Sequence, residues 1–591
     1  MAAQSSPMRN FCAVTTAAWS HRMLTLFVPE SVRAFREGIS ARTLTSDIMS
    51  GIIVGIVALP LAIAFAIASG VKPEQGIYTA VVAGFLISCF GGSRVQIGGP
   101  TGAFIIVVSQ IVAEYGYEGL AIATIMAGVL LLIMGFSRLG GAIRFIPYPM
   151  TVGFTSGIAL IIFTTQIPDF FGLQVSAGGS FIAKLLAYTD AANTLTPQAL
   201  FMGTLTLVIL MAWPRVTQKI PGSVVAIVAT TCLAAFFNLD VATIGSRFGS
   251  VPSSLPSPSM PEINLETIRH LSSPAFTIAM LAAIESLLSA VVADGMIGKR
   301  HNANMELVAQ GLANIASPIF CGIPATGAIA RTATNIRSGG STPVAGMVHA
   351  VTLFLILLFF GKWAVLIPMS TLAAILMMVA YHMSEWRFFV KLLKSPPADI
   401  TVMLVTFALT VFVDLTIAIE VGVVLASVLF MNRMANLTTI KRWRSDPEND
   451  PHAIASRSIP TGVEVFEIHG PFFFGAANRF KDTLAMSQKQ PKVLILRCRH
   501  ILMIDATALR ALEELVSDVK RSNTRLILSG VHAQPLISLE QSGLYDAIGE
   551  ENIYANIDEA LNGARRYLGV TEEPKPVPFV PTVARESLQG S

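Results

Sequence analysis

The sequence predicts a polytopic α-helical membrane protein that ends in a small α/β domain. Of its 591 residues, 53% are hydrophobic and only 13% are charged, whereas about 25% are charged in a typical soluble domain. Apolar segments of membrane-spanning length follow one another from about residue 47 to about 436, separated by short polar or Gly/Pro-rich joints. After Trp443 charge returns, and strand-like runs alternate with helical stretches. Most of the chain is therefore expected in the bilayer.

Residues 1–46 are expected to form a cytoplasmic N-terminal segment. Between residues 24 and 42, apolar side chains alternate with arginines, which predicts an amphipathic helix on the membrane surface. A poorly ordered leader is the alternative. The apolar patch from Phe11 to Trp19 is too short and its flanks too polar for a cleaved signal peptide.

Fourteen membrane segments are predicted between residues 47 and 436. Twelve spans begin near Asp47, Glu74, Gly119, Thr151, Leu200, Gly222, Ala275, Met305, Pro343, Val365, Asp399 and Leu415. Two further segments, 99–112 and 324–336, are too short to cross alone. Lys and Arg fall in alternate joints, which predicts that these joints and both termini are cytoplasmic and that the protein resides in the cell (inner) membrane. The positive residues are Arg138, Arg144, Arg215, Lys219, Lys299, Arg300, Arg337, Arg387, Lys391 and Lys394, with the flanks 33–42 and 433–444.

Two glycine-rich breaks share one triplet. "GGSRVQIGGPTGAF" (91–104) and "GIPATGAIART" (322–332) both contain T-G-A, so that Thr101, Gly102 and Ala103 correspond to Thr326, Gly327 and Ala328. Each triplet lies about fifty residues into its half, which indicates two repeats, about 47–239 and 272–436. Because each repeat has an odd number of segments, seven, the second repeat has the opposite orientation in the membrane. Each break then presents a half-helix N-terminus near the bilayer midplane, where backbone N–H groups attract anions.

The C-terminal part is predicted to contain a linker at 437–460, an α/β domain at 461–568 and a disordered tail at 569–591. The runs "VEVFEIHG", "KVLILRC" and "RLILSG" predict strands of a small parallel sheet. Phe472, Phe473 and Phe474 are interpreted as core or as a docking face of this domain, with ligand binding as the minor alternative.

The sequence resembles the sulfate permease (SulP) family of anion transporters. The resemblance covers almost the whole chain and rests on "SDIMSGIIVGIVALPLAIAFAIASGVKPEQGIYTA", "GGSRVQIGGPTGAF", "AIESLLSAVVADGMIGKRHNANMELVAQGLANI" and "GIPATGAIARTATNIRSGGSTPVAG". It implies a uracil-permease-like fold of seven plus seven inverted spans, with a core domain that moves against a gate domain, usually in a homodimer. The C-terminal domain resembles the cytoplasmic STAS domain of that family.

The resemblance also assigns residues to an anion site. On the first span it implies Leu61 and Phe65, and on the two half-helices it implies the residues Thr101, Gly102, Ala103, Ala330, Arg331 and Thr332. Several relatives carry Gln at the position of Leu61, so this pocket is less polar on that side. In the STAS-like domain, Asp505 and Thr507 match an Asp and a phosphorylated Ser of anti-sigma-factor antagonists. Thr507 is thus a candidate phosphosite, with a plain capping role as the simpler alternative.

Two charged residues predicted inside the membrane indicate that anion transport is coupled to a second ion. Arg331 is a permanent cation, which marks a pathway or a partner, although bracing the core is an alternative. Glu285 is the only acidic residue of the eighth span before Asp294, and Ser289 lies one turn further on the same face. We expect Glu285 to carry a proton. Sodium is the second candidate ion, because sodium-coupled relatives place Asp and a hydroxyl at these positions. Glu285 could also serve only as a partner of Arg331.

The leading hypothesis is secondary active anion transport, with proton-coupled symport of sulfate or another inorganic anion. Sodium-coupled bicarbonate transport and C4-dicarboxylate transport are alternatives within the family, and an anion channel or a membrane anion sensor are alternatives from other classes. No G-x-x-x-x-G-K-[ST] loop, catalytic triad or metal-ligand spacing occurs, so no enzyme, cofactor or metal site is predicted. The net charge of +4 gives no sign of a nucleic-acid partner, and the five scattered cysteines are interpreted as apolar filler.

Overall fold

The structure is a computed structural model that describes residues 27–141, 147–175, 180–217, 221–249, 252, 254–262, 264–413, 415–443, 458–485 and 491–572. The chain divides into two compact units, Met1–Ala426 and Ser427–Ser591. The first unit is almost entirely helical, and the second contains a five-stranded sheet.

One helix precedes the first repeat, which itself contains eight helices and one short strand within the described residues, together with a 3-10 turn at Ala191–Thr194. In chain order they are α1 (Glu30–Glu37), α2 (Ala41–Ala68), α3 (Pro73–Phe90), β1 (Gly98–Gly99), α4 (Phe104–Phe136), α5 (Tyr148–Thr165), α6 (Ile167–Phe171), α7 (Phe181–Asp190), α8 (Pro197–Val216) and α9 (Gly222–Phe236).

A connection with two short helices leads into the second repeat, which includes a 3-10 helix at Gly361–Leu366. The elements are α10 (Ile244–Phe248), α11 (Leu265–His270), α12 (Ser272–Ile297), α13 (Ala303–Ile319), β2 (Thr326–Gly327), α14 (Ile329–Arg337), α15 (Val344–Phe360), α16 (Met369–Met383), α17 (Trp386–Leu392), α18 (Pro397–Phe412) and α19 (Leu415–Leu437).

The predicted membrane fold is confirmed. Every predicted span coincides with a helix, and seven helices of the described chain are long and apolar enough to cross a bilayer by themselves. The helix α4 joins the first short segment to the next span, and its backbone breaks at Gly116 (φ 68°, ψ −174°), a conformation that glycine adopts readily.

The N-terminal amphipathic helix is shorter than predicted. Of the predicted range 24–42, residues 24–26 lie outside the described part, and α1 ends at Glu37 because Gly38 adopts a φ of +83°. A new helix begins after Ser40, whose side chain accepts a hydrogen bond from Thr43 N. Residues 41 and 42 therefore belong to the first span, α2.

The membrane helices pack in two groups, each built from both repeats. The first helix group contains α2, α3, α4, α12, α13, α14 and α15, and the second contains α5, α8, α9, α16 and α18. Close approach within the first group depends on Gly128 in α4 and Gly311 in α13, since a methyl group on either would lie 2.7 Å from the carbonyl oxygen of the other. Contacts between the groups are made mainly by α2 with α9 and α16.

The second unit is an α/β fold with strand order β3-β4-β5-β6-β7. Its elements are β3 (Thr439–Trp443), β4 (Val463–His469), α20 (Phe474–Ala485), β5 (Val493–His500), α21 (Ala506–Arg521), β6 (Arg525–Ser529), α22 (Ala533–Gln541), α23 (Leu544–Ile548), the 3-10 turn Glu550–Asn552, β7 (Ile553–Tyr554) and α24 (Ile557–Leu568). The strands β4 to β7 are parallel, and hydrophobic side chains pack on both faces of the sheet.

The predicted linker at 437–460 is wrong in part. Residues 439–443 form the edge strand β3, which pairs antiparallel with β4, so the sheet begins before the predicted boundary at 461. The remaining linker residues 444–457, and residues 573–591 of the predicted tail, lie outside the described residues.

Candidate anion-binding site

The two glycine-rich breaks meet at the centre of the first helix group. Strand β1 pairs antiparallel with β2, with Gly98 opposite Gly327 and Gly99 opposite Thr326. The half-helix formed by residues 104–115 of α4 begins after Ala103, and α14 begins after Ala328. The alanines of the two T-G-A triplets are thus both N-cap residues, as the repeat alignment predicts.

Both half-helices begin without a capping side chain. Alanine has no side-chain oxygen, and neither Ala103 nor Ala328 provides a cap hydrogen bond. The first N–H groups of a helix have no acceptor within the helix, and the helix dipole adds about half a positive charge at this end. At the start of α4, the N–H groups of Phe104 and Ile105 donate instead to the carbonyl oxygens of Thr101 and Gly102, at 3.3 and 3.1 Å. With nine residues, α14 is about 14 Å long, too short to cross a bilayer of about 30 Å. It therefore cannot cross the bilayer by itself.

Arg331 reaches from the second half-helix to the first break. Its side chain is almost fully buried, with 2% of the residue exposed, and its Nη2 donates a 2.9 Å hydrogen bond to the carbonyl oxygen of Pro100. Its Nη1 is buried without a hydrogen-bond partner among the described residues. Nη1 lies where a side chain on Gly99 would be, so the missing Cβ at this position makes room for the guanidinium. A permanent cation thus lies between the two breaks.

Glu285 also contacts the first break, at the residue after Pro100. Its carboxylate accepts a 2.9 Å hydrogen bond from Thr101 Oγ1, and the residue is partly exposed. No ion pair joins Glu285 to Arg331 in the described part of the chain. In this structure Glu285 and Arg331 do not pair with each other, and each of them hydrogen-bonds to the first break instead.

Ser289, predicted for ion coupling with Glu285, lies beside Thr332, which was predicted for the anion site. Ser289 Oγ and Thr332 Oγ1 lie 3.3 Å apart, and Thr332 Oγ1 accepts a 3.0 Å hydrogen bond from Ile97 N. Both hydroxyls are buried. They connect α12 and α14 beside the break.

The first break faces the second helix group. A methyl group on Gly102 would lie 3.5 Å from both Met383 Sδ and Phe65 Cε1, and 3.6 Å from Ile162 Cδ1. Phe65 belongs to α2, Ile162 to α5 and Met383 to α16, so Gly102 lies where the two helix groups meet. Of the remaining predicted residues, Leu61 is half-buried one turn before Phe65, and Ala330 is exposed at the start of α14.

A buried polar network beside this site was missed by the sequence analysis. Glu306 is fully buried and accepts hydrogen bonds from Gly92 N at 2.9 Å, Ser286 Oγ at 3.1 Å and Gln310 Nε2 at 2.9 Å. Gln96 Nε2 donates to both the carbonyl oxygen and Oγ of Ser286 at 3.1 Å. The spacing of Glu306, Gln310 and Asn314 by four residues puts three polar side chains on one face of α13, a signal that was available in the sequence.

The far end of α14 is fixed by a second set of contacts. Asn335 donates to the carbonyl oxygen of Val95 at 2.8 Å, and its Oδ1 accepts from Ser50 Oγ at 2.7 Å. All the polar groups involved are buried. The half-helix is therefore held at its C-terminal end by side chains, while its N-terminal end is uncapped.

The candidate phosphosite Thr507 lies in the second unit. The cap of α21 is Asp505, whose Oδ1 accepts a 2.8 Å hydrogen bond from Ala508 N. The interpretation of Thr507 as the capping residue is wrong, because the preceding aspartate already satisfies this donor. Thr507 is exposed near the helix start, and its phosphorylation stays a prediction.

The three phenylalanines divide between core and surface. Phe472 is fully buried and Phe473 is buried, whereas Phe474 is 49% exposed. The core interpretation therefore holds for the first two residues only.

The sequence matches two family models. Residues 44–406 match the model described as the sulfate permease family, and residues 456–560 match the STAS domain. The sulfate permease match covers more than half of the chain and includes both breaks.

Similar proteins are known from bacteria and from mouse. The chain is 43% identical over 526 residues to YvdB of Bacillus subtilis, named as a candidate sulfate transporter, with 88% of this chain and 98% of that protein covered. It is 32% identical over 542 residues to the bicarbonate transporter BicA of Picosynechococcus, with coverages of 88% and 95%. A solved structure of the murine Slc26a9 anion transporter has the same fold, with a TM-score of 0.82 at 15% identity over 96% of each chain.

Proposed function

Because this chain belongs to the sulfate permease family of membrane anion transporters, we propose that it is a secondary active symporter for sulfate or another inorganic anion, driven by protons. Its substrate binds between Ala103 and Ala328, and Glu285 carries the proton. The site residues are those that the family resemblance implies: Leu61, Phe65, Thr101, Gly102, Ala103, Ala330, Arg331 and Thr332. The protein acts in the cell membrane, with both termini in the cytoplasm.

The observation that carries this proposal is the positive end of two uncapped half-helices beside an incompletely paired arginine. Two half-helix N-termini and Arg331 sum to about +2, and an ionised Glu285 reduces this to about +1. Protonation of Glu285 therefore adjusts the charge of the site to a divalent anion. Release of the proton weakens binding of the same anion, and this couples the two ions.

Accumulation of sulfate in the cell requires coupling to a second ion on energetic grounds. Moving one negative charge into a cell that is 100 mV negative inside costs about 2.3 kcal/mol, so sulfate costs about 4.6 kcal/mol, which opposes accumulation about 2,000-fold. Each proton that enters with the anion removes one charge from this cost and adds the energy of the proton gradient.

The packing of the helices supports an elevator-type movement. Both half-helices and Arg331 belong to the first helix group, whereas Gly102 faces Ile162 and Met383 of the second. A sliding of one group along the other would carry the site across the membrane with its hydrogen bonds intact. We expect the protein to work as a homodimer, as the family resemblance implies.

Uptake into proteoliposomes tests the proposal. Radiolabelled sulfate uptake by the wild type should rise with an inward proton gradient and stay unchanged with a sodium gradient. Glu285→Gln should lose the response to the proton gradient, and Asp399→Asn, a carboxylate on α18 away from the site, should keep it. Proton-driven accumulation that survives in folded Glu285→Gln would contradict the role of Glu285.

The alternatives give different results in the same assay. A sodium response would favour the second candidate ion, supported by the adjacent hydroxyls of Ser289 and Thr332. Preference for bicarbonate, the anion in the name of the relative BicA, or for a C4 dicarboxylate would identify another substrate. Strictly downhill flux would favour an anion channel, and a complete lack of flux would favour a sensor.

A further inference from the structure

Three potential metal ligands lie close together at the carboxyl ends of two neighbouring strands of the α/β sheet. Glu467 and His469 stand two residues apart on β4, and His500 ends the neighbouring strand β5. The two strands are parallel, and His469 is the register partner of His500 after a shift between Glu467 and His469. Ligands of open α/β sheets bind at the carboxyl ends of the strands, which is where these three side chains lie.

The distances between the possible ligand atoms are close to those of a zinc site, and the two histidines approach different oxygens of Glu467. His469 Nε2 lies 3.2 Å from Glu467 Oε2, and His500 Nε2 lies 3.6 Å from Glu467 Oε1. Two ligands of a tetrahedral ion at 2.0–2.1 Å are separated by about 3.3 Å. One ligand atom from each residue lies within 4.8 Å of the other two, so metal binding requires the imidazole rings to rotate until all three atoms reach this spacing.

The environment of the two histidines favours a shared cation. Their rings stack with centroids 4.5 Å apart and planes 15° apart, so that two protonated rings would repel each other strongly. His469 Nε2 is buried without a hydrogen bond of acceptable geometry among the described residues, despite its closeness to the carboxylate. One divalent ion bound by both rings would satisfy this nitrogen.

Glu467 is a buried carboxylate in an otherwise apolar row. Val463 and Val465, on the same face of β4, belong to the hydrophobic core, and Glu467 is only 1% exposed. Arg497 Nη1 lies 3.0 Å from Glu467 Oε1 and competes with a metal for this oxygen. The side chains of His469 and His500 are 36% and 45% exposed, so solvent reaches part of both imidazoles.

We propose that Glu467, His469 and His500 bind one divalent transition-metal ion of the Zn²⁺ class, with the remaining position open to water or to a donor from a partner. Two nitrogen ligands and one carboxylate suit Zn²⁺, Co²⁺ and Ni²⁺ better than Mg²⁺ or Ca²⁺, which prefer oxygen ligands. No metal site is predicted from the sequence, because the ligands come from two strands and follow no short spacing motif.

The test uses the full chain, purified in detergent without an affinity tag and stripped of metal. Zn²⁺ binding is measured by competition with a chromophoric chelator, and Co²⁺ supplies an absorption spectrum that reports tetrahedral nitrogen and oxygen ligation. The variants are His469→Asn, His500→Asn and the double substitution. His532→Asn is the matched control, because this histidine is exposed on the same unit and its ring bonds to the carbonyl oxygen of Arg499.

We expect one tight Zn²⁺ per chain, with the Kd weakened at least about tenfold in each single variant, since even loss of an outer-shell partner costs 10–100-fold. Zn²⁺ should also raise the unfolding temperature of the wild type and of His532→Asn, but not that of the double variant. Equal Zn²⁺ affinity in the double variant and the wild type would overturn the proposal. Lack of saturable binding by the folded wild type would overturn it as well.

Discussion

Gly102 and Gly327 occupy matched positions in the two repeats, yet the structure predicts opposite responses to one added methyl group. A methyl group on Gly102 would make ordinary contacts of 3.5–3.6 Å with Met383, Phe65 and Ile162. A methyl group on Gly327 would overlap the side-chain amide of Gln96. Gly102→Ala should therefore fold normally, whereas Gly327→Ala should not.

The stability that Gly327→Ala is expected to lose follows from the hydrogen bonds of Gln96. Displacing its amide breaks two bonds to Ser286, each 3.1 Å long, in a fully buried environment. A buried polar group left without its partner costs about 1–3 kcal/mol, so loss of the two bonds in Gly327→Ala should cost about 2–6 kcal/mol of stability. Gly102→Ala should stay within about 1 kcal/mol of the wild type, because it adds a methyl group at normal contact distance.

A larger side chain at Gly102 then tests the site itself. Leucine at this position would fill the space before the first half-helix and cost about 1–3 kcal/mol through overpacking. We expect Gly102→Leu to insert and stay monodisperse in detergent but to lose anion uptake. In Gly327→Leu, loss of uptake would result from misfolding. This variant therefore does not test the anion site.

Thermal unfolding in detergent and gel filtration, combined with uptake into proteoliposomes, provide the measurements. The reasoning fails if Gly102→Ala is as destabilised as Gly327→Ala. It fails equally if folded Gly102→Leu takes up anion at the wild-type rate.

Three further predictions concern other parts of the chain. Removal of residues 439–591, which takes away the whole sheet including β3, should leave anion affinity unchanged, and loss of binding in a well-folded truncated protein would refute the separation of site and α/β unit. Burial raises the pKa of the Cys498 thiol to about 12, so a maleimide at pH 8 should modify Cys498 only after unfolding; labelling at the rate of a free thiol would show that the core opens. Thr101→Ala removes the 2.9 Å bond to Glu285 but leaves the backbone N–H groups, so uptake should fall less than in Gly102→Leu; a complete loss would assign the anion to the hydroxyl instead.

The sequence was sufficient where function depends on the backbone. Clusters of glycine and proline disfavour a continuous helix, so the two T-G-A breaks and their equivalence could be predicted from the sequence, and Ala103 and Ala328 are indeed both N-cap residues. The apolar spans could be predicted equally well, because the length and hydropathy of a segment depend only on its own residues.

The hydrogen-bond partners of buried polar side chains could not be predicted from the sequence. Arg331 bonds to Pro100 across the repeat boundary, 231 positions away in the chain, and no local pattern specifies such a pair. Glu306 had a local signal in its spacing to Gln310, but its bond to Gly92 depends on tertiary packing. The edge strand β3 was missed because its five residues are polar enough to read as a linker, and only its antiparallel pairing with β4 makes it a strand.

An experimental structure of the protein at a saturating concentration of its transported anion tests the central claim most directly. The account predicts density for the anion between Ala103 and Ala328, within about 3 Å of first-turn N–H groups of both half-helices and of Arg331 Nη1. Ordered anion elsewhere in the membrane unit, with this position empty, would contradict it.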